Sequence, residues 1–116
     1  MCAGLPAGAV AIPDFAHFTT QAKCEVAVRR QQLTGIYLIP EALGGGVEAS
    51  NRTFVPPWIA EQKQRIDMDT ILPMMRAGKL LYYQAQPIFR GSSLVPVQIN
   101  LHAHDPAGFA TTLDIW

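Results

Sequence analysis

An excess of charge of either sign, cysteine in quantity and long apolar runs are what this chain lacks. Nine basic and nine acidic side chains cancel, so no overall positive field announces a nucleic-acid or anionic-membrane partner. Local patches stay open, with Lys23, Arg29 and Arg30 grouped in one half of the chain and Lys63, Arg65, Arg76 and Lys79 in the next. The two cysteines, Cys2 and Cys24, permit one bridge at most, which excludes a disulfide scaffold. No run approaches the ~18 apolar residues that a membrane span needs, so no membrane partner is expected. MCAGLPAGAVAI has no basic segment ahead of its apolar part, and a cleaved signal is not expected either. A cytoplasmic location is the default, and export without a cleaved signal would leave the same sequence. Internal repeats and low-complexity tracts are also missing.

What is present is enough for a core. A chain of 116 residues makes one domain and buries roughly two-thirds of its unfolded surface. With 49% hydrophobic and 16% charged residues, burial can offset the conformational entropy lost on folding. A single domain is expected over residues 1–116, with residues 1–10 as a flexible arm or edge strand in which GAVAI can pair at a sheet edge.

Periodicity sets the elements. In AKCEVAVRR, Cys24, Val26 and Val28 alternate with Lys23, Glu25 and Ala27, which predicts a half-buried strand. GIYLIP is a second short apolar run, ended by Pro40. The loop EALGGGVEASN follows, and its Gly44, Gly45 and Gly46 allow tight turning. Pro56 and Pro57 suit the first turn of a helix. From there WIAEQKQRIDMDTILPMMRAG reads as helix, with Ile59, Ile66, Met68, Ile71, Leu72 and Met75 at roughly helical spacing. Pro73 must kink it, or split it so that Asp69 caps a second short helix, and Gly78 is its stop. The last third reads as an antiparallel meander: KLLYYQAQPIF, a turn at RGSS, LVPVQINLHAH, a turn at DPAG, then FATTLDIW. Val95, Val97, Ile99, Leu101 and Ala103 form its core face against Pro96, Gln98, Asn100, His102 and His104. Pro87 and Pro96 belong at an edge or bulge. The expected class is α+β, an antiparallel sheet with one long or kinked helix packed on it.

Within IYLIPEALGGGVEASNRTFVP, Leu38 and Ile39 form an aliphatic pair, Leu43, Gly44 and Gly45 a turn, and Asn51 to Pro56 the lead-in to the helix. The order and spacing of these pieces, with the meander after them, resembles the DNA/RNA non-specific endonucleases of the ββα-metal (His-Me finger) class, in their small bacterial toxin type. The likeness spans roughly residues 20 to 112. It implies a ββα-metal-like loop, a nucleic-acid substrate, and Mg²⁺ or another divalent cation held by the asparagine that leads into the helix. It also implies a strand histidine that deprotonates the attacking water, so that base and metal face one phosphate. By register Tyr37 stands in the histidine's place, with Thr34 and Gly35 where an acidic and a basic residue are usual. Phenols as a class ionise near pH 10 and are poor general bases at neutral pH. Asn51 matches the metal-binding asparagine, although NRTFVP carries one residue more than the family pattern.

Each residue also has a structural reading. Tyr37 serves equally as a half-buried strand aromatic, Asn51 as a cap, and Gly44, Gly45 and Gly46 as a tight turn rather than a phosphate cradle. His102 and His104, two apart on one strand face with Asp105 adjacent, can reach a single metal or stand on a solvated face. His17 supplies a base only if its segment folds over the loop. The aromatics Trp58, Tyr82, Tyr83, Phe89 and Trp116 read as packing, with stacking on nucleic acid the lesser alternative. Three functions follow: a degenerate nuclease-like domain acting as a binding or assembly module, with or without a cofactor; a metal-dependent endonuclease whose base is His17, His102 or His104; and a partner protein in a bacterial toxin system that pairs through a sheet edge.

Overall fold

A computed structural model describes residues 14–116. The expected arm at residues 1–10 lies outside the described residues. The first regular element is a helix, α1 (Gln21–Arg29), where alternation predicted a strand over residues 22–30. Thr20 accounts for the difference: its hydroxyl accepts the Lys23 N–H at 3.2 Å and caps the first turn. The helix then buries Cys24 and Ala27, three apart, and leaves Val26 and Val28 exposed. A free thiol at Cys24 is fully enclosed there.

Next come β1 (Thr34–Tyr37) and β2 (Arg52–Val55), paired antiparallel from Thr34 opposite Val55 to Tyr37 opposite Arg52. The segment expected only to lead into the helix is thus itself a strand, and the order from Thr34 onward is strand, loop, strand, helix. The loop between them holds two 3₁₀ turns, Glu41–Leu43 and Ala49–Asn51.

The long helix starts after Pro56, with Pro57 in its first turn. It runs as α2 (Pro57–Arg65), a π-helical stretch (Ile66–Ile71) and α3 (Leu72–Arg76). Asp69 does not cap a second helix, because the chain never leaves helical conformation before Pro73. The wider π turn, in which Leu72 N–H donates to Asp67 O, precedes the proline ring, which would clash with the carbonyl four residues back in a regular α-helix. The helix stops as expected, with Gly78 at φ 73° and its N–H on Met75 O.

The meander is present as expected, but its middle strand starts at Gln98 and runs through Pro106, so residues 94–97, expected in that strand, precede it, and Asp105 and Pro106, expected in the turn, end it. β3 (Leu80–Ile88), β4 (Gln98–Pro106) and β5 (Gly108–Asp114) form an antiparallel sheet in that order. Val95, Val97, Ile99, Leu101 and Ala103 are buried, and Pro96, placed on the polar face by alternation, is buried as well because it precedes β4. Pro87 lies on the edge strand β3, where a missing ladder donor costs least. The molecule is therefore α+β, with two antiparallel sheets and two helical segments among the described residues.

The main core joins Cys24, Leu33, Leu38, Val55, Ile59, Ile99, Leu101 and Leu113. Each such aliphatic side chain contributes about 1.5–3 kcal/mol when fully buried. Phe15 and Phe18 close one end: Phe15 O accepts from Ser93 Oγ, and Phe18 O accepts from Leu94 N–H. Among the described residues no helix is long and apolar enough to cross a membrane.

Candidate functional site

The glycine loop is built around Asn51. Its Oδ1 accepts the Ile39 N–H at 2.9 Å, and its Nδ2 donates to Ile39 O at 2.9 Å and to Gly46 O at 2.7 Å. With Leu38 N–H donating to Asn51 O at 2.7 Å, one amide closes the whole connection between β1 and β2. Gly44 turns the chain at φ 93°, and a Cβ on Gly45 would lie 1.7 Å from Ile39 O. Those two positions need glycine for the turn and the close approach.

Tyr37 ends β1 beside this loop. It is 38% exposed, and the Arg52 guanidinium lies 5.8 Å from its ring centre, within cation–π range. Its ring edges a cavity of about 310 Å³ between β1 and the long helix. Thr34 and Ile36 line the strand side with it, and Ala60, Lys63, Asp67 and Met68 line the helix side.

The floor of that cavity carries charges that the sequence does not advertise. Lys63 Nζ meets Asp67 Oδ2 at 2.6 Å, and both side chains are at least 95% buried, with exposures of 3% and 5%. The other carboxylate oxygen, Oδ1, accepts the Tyr83 hydroxyl at 2.5 Å across from β3. Burial pushes the Lys63 amine below its ordinary value, and Asp67 opposes that shift by its charge and hydrogen bond. The Tyr83 phenol is pushed well above 10.0, first by burial and then by donating to the Asp67 carboxylate. The group keeps its phenolic proton, and its two opposite charges cancel. Only one of the three ammonium donors of Lys63 is needed to hold Asp67.

Tyr37 and Asn51 are brought together, and Gly44, Gly45 and Gly46 surround Asn51. His102 and His104 stand elsewhere, on the outer face of β4. His17 is exposed, packed on Phe18 with ring centres 4.1 Å apart, in the segment tied to Ser93 and Leu94. A second groove, between α1 and the hairpin, is lined by Glu25, Arg29, Arg52 and Phe54. Sequence reasoning gave Lys63 to a basic patch and Tyr83 to packing, and passed over Asp67. The signal was there: Ile59, Lys63, Asp67 and Ile71 recur every four residues, so the two charges share the helix face of two core isoleucines.

Among the described residues no group of three or more His, Cys, Asp or Glu side chains is gathered as a metal cage. The chain matches no family model, no curated protein and no solved structure.

Proposed function

We propose that this chain is a nuclease-like ββα domain that works by binding, with the cavity between β1 and the long helix as its seat, and that hydrolysis has been lost. The observation that carries this reading is the engaged amide of Asn51, at the end of the hairpin where Tyr37 stands opposite Arg52. The resemblance places a histidine base where the phenol stands, and general-base catalysis is typically worth ~10²- to 10⁴-fold. The asparagine that would hold the metal spends its amide on Ile39 and Gly46, and the charged groups beside it are the Arg52 cation over Tyr37 and the single Glu48 carboxylate against Gly46. One carboxylate and an amide already engaged are a poor fit for a divalent cation, which takes several oxygen ligands.

The cavity suits recognition. Ile36, Pro40, Ala60 and Met68 give it apolar walls, and the Lys63–Asp67 pair in its floor is internally neutralised. A site with those walls takes an uncharged, largely apolar group, with polar partners that fix orientation.

The test is direct. The purified chain is incubated with plasmid DNA and with single- and double-stranded DNA and RNA in the presence of Mg²⁺, Mn²⁺ or Zn²⁺. No turnover is expected, and none is expected of Tyr37→His, because Asn51 remains engaged. Metal-dependent cleavage by the unaltered chain, retained in Tyr37→His, would overturn the proposal and move the base to another residue.

A further inference from the structure

The outer face of the meander holds a feature with no part in the cavity. His102 and His104 project from the same face of β4, where side chains two apart would ordinarily stand about 6.4–6.8 Å from one another. Their ring centres are 5.1 Å apart, so the imidazoles lean together. A tetrahedral ion bound about 2.0–2.1 Å from one nitrogen of each ring would hold the two centroids about 5 Å apart. The rings are already at that separation.

Their surroundings differ on the two sides. On the β3 side, Tyr82 lies opposite His104 in register and stacks on it with centroids 5.0 Å apart, which fixes that ring. Gln84 lies opposite His102. On the β5 side, Ala110 faces His102 and Gly108 faces His104. A Cβ built on Gly108 meets nothing within 4 Å, and both positions are exposed. Next to the two imidazoles the sheet therefore offers bare space for an ion and its waters.

We propose that His102 and His104 form a binding site for a divalent transition cation of the zinc, nickel or copper kind. Two imidazoles supply the protein ligands and water fills the remaining positions. Imidazole suits these ions and not Mg²⁺ or Ca²⁺, and the two ligands are not the asparagine that the family resemblance implies. It is also independent of the cavity reading, because none of its residues lines the cavity.

The experiment is calorimetric titration of the full chain with Zn²⁺ and with Ni²⁺ in a non-chelating buffer. One ion per chain is expected. Losing an outer-shell partner of a metal already costs about 10–100-fold in affinity, so His102→Ala and His104→Ala should each weaken binding by at least tenfold, and the double variant should abolish it. His17→Ala should bind like the parent. Ala110→Arg, which keeps both histidines and fills the bare flank, should also weaken binding at least tenfold. Thermal melts of the variants, whose changes lie on an exposed face, should superimpose on the parent. Undetectable binding at millimolar ion, or binding that survives in the double variant or in Ala110→Arg, would overturn the proposal.

Discussion

Removing one member of the Lys63–Asp67 pair should cost far more than removing both. In Asp67→Asn the ammonium stays in a site where its side chain is only 3% exposed, and Tyr83 loses a charged acceptor. Breaking a buried pair from one side typically costs about 3–5 kcal/mol. That is a large share of the roughly 5–15 kcal/mol that holds a domain together. At ~4 °C per kcal/mol for a domain of this size, the melting temperature should fall by about 12–20 °C. Lys63→Met should be similarly costly, since it strands the carboxylate with Tyr83 alone. The double variant Lys63→Met/Asp67→Leu removes both charges together and should come within about 2 kcal/mol of the parent, because well-packed apolar replacements of buried pairs are often neutral. The assay is urea unfolding followed by the fluorescence of Trp58 and Trp116, with a double-mutant cycle over the four proteins. A pH series adds a sign. Burial lowers the Lys63 pKa and Asp67 opposes that shift, so the folded Asp67→Asn protein should release the Lys63 proton at a lower pH than the unfolded chain does. Its stability should rise with pH until the unfolded lysine titrates near 10.5. Additive single costs, or an Asp67→Asn penalty under about 1 kcal/mol, would refute the claim that the pair is buried and coupled.

Three further substitutions test Tyr83 and the glycine loop. Tyr83 has a raised folded pKa, so its contribution is present below pH 10 and is lost as pH rises beyond it. Tyr83→Phe should therefore cost about 1.5–3 kcal/mol at neutral pH, as expected for a hydrogen bond to a charged group, with the gap to the parent shrinking above pH 10 in denaturant melts. Asn51→Ala strips partners from Ile39 and Gly46 and should cost about 2–3 kcal/mol at about 1 kcal/mol per bond. Gly45→Ala should shift amide resonances throughout residues 39–51, because its Cβ cannot stand 1.7 Å from Ile39 O.

The meander was legible because Val95 to Ala103 alternate over a length that no helix would tolerate, and the helix start because two prolines announce it. α1 was misread because its β-branched residues fall two apart, and this local pattern outweighed the Thr20 cap. What decided the matter is burial of Cys24 and Ala27 against a distant core, which no window of nine residues contains. Asn51 was legible as a residue of consequence. Its three bonds were not, since they depend on how the glycines turn the chain back onto Ile39. The Lys63–Asp67 pair was hidden for another reason: charged residues on a helix are ordinarily solvated, and only contact with β3 makes these two part of the interior.

That contact also explains why the π stretch falls where it does. Asp67 must aim one oxygen along its own helix toward Lys63 and the other across to Tyr83 on β3. Asp67 lies in the first turn of the π segment, and its carbonyl accepts from Leu72 rather than from Ile71. The extra residue in that turn resets the helix phase between Asp67 and Ile71, which anchors the second core cluster with Leu80 and Ala103. A regular α-helix through the same stretch would meet Pro73 with an unrelieved clash. The π segment thus serves the proline, the buried pair and the second core cluster together. It fixes the helix wall of the cavity against the meander, just as Asn51 fixes the loop beside the strand wall.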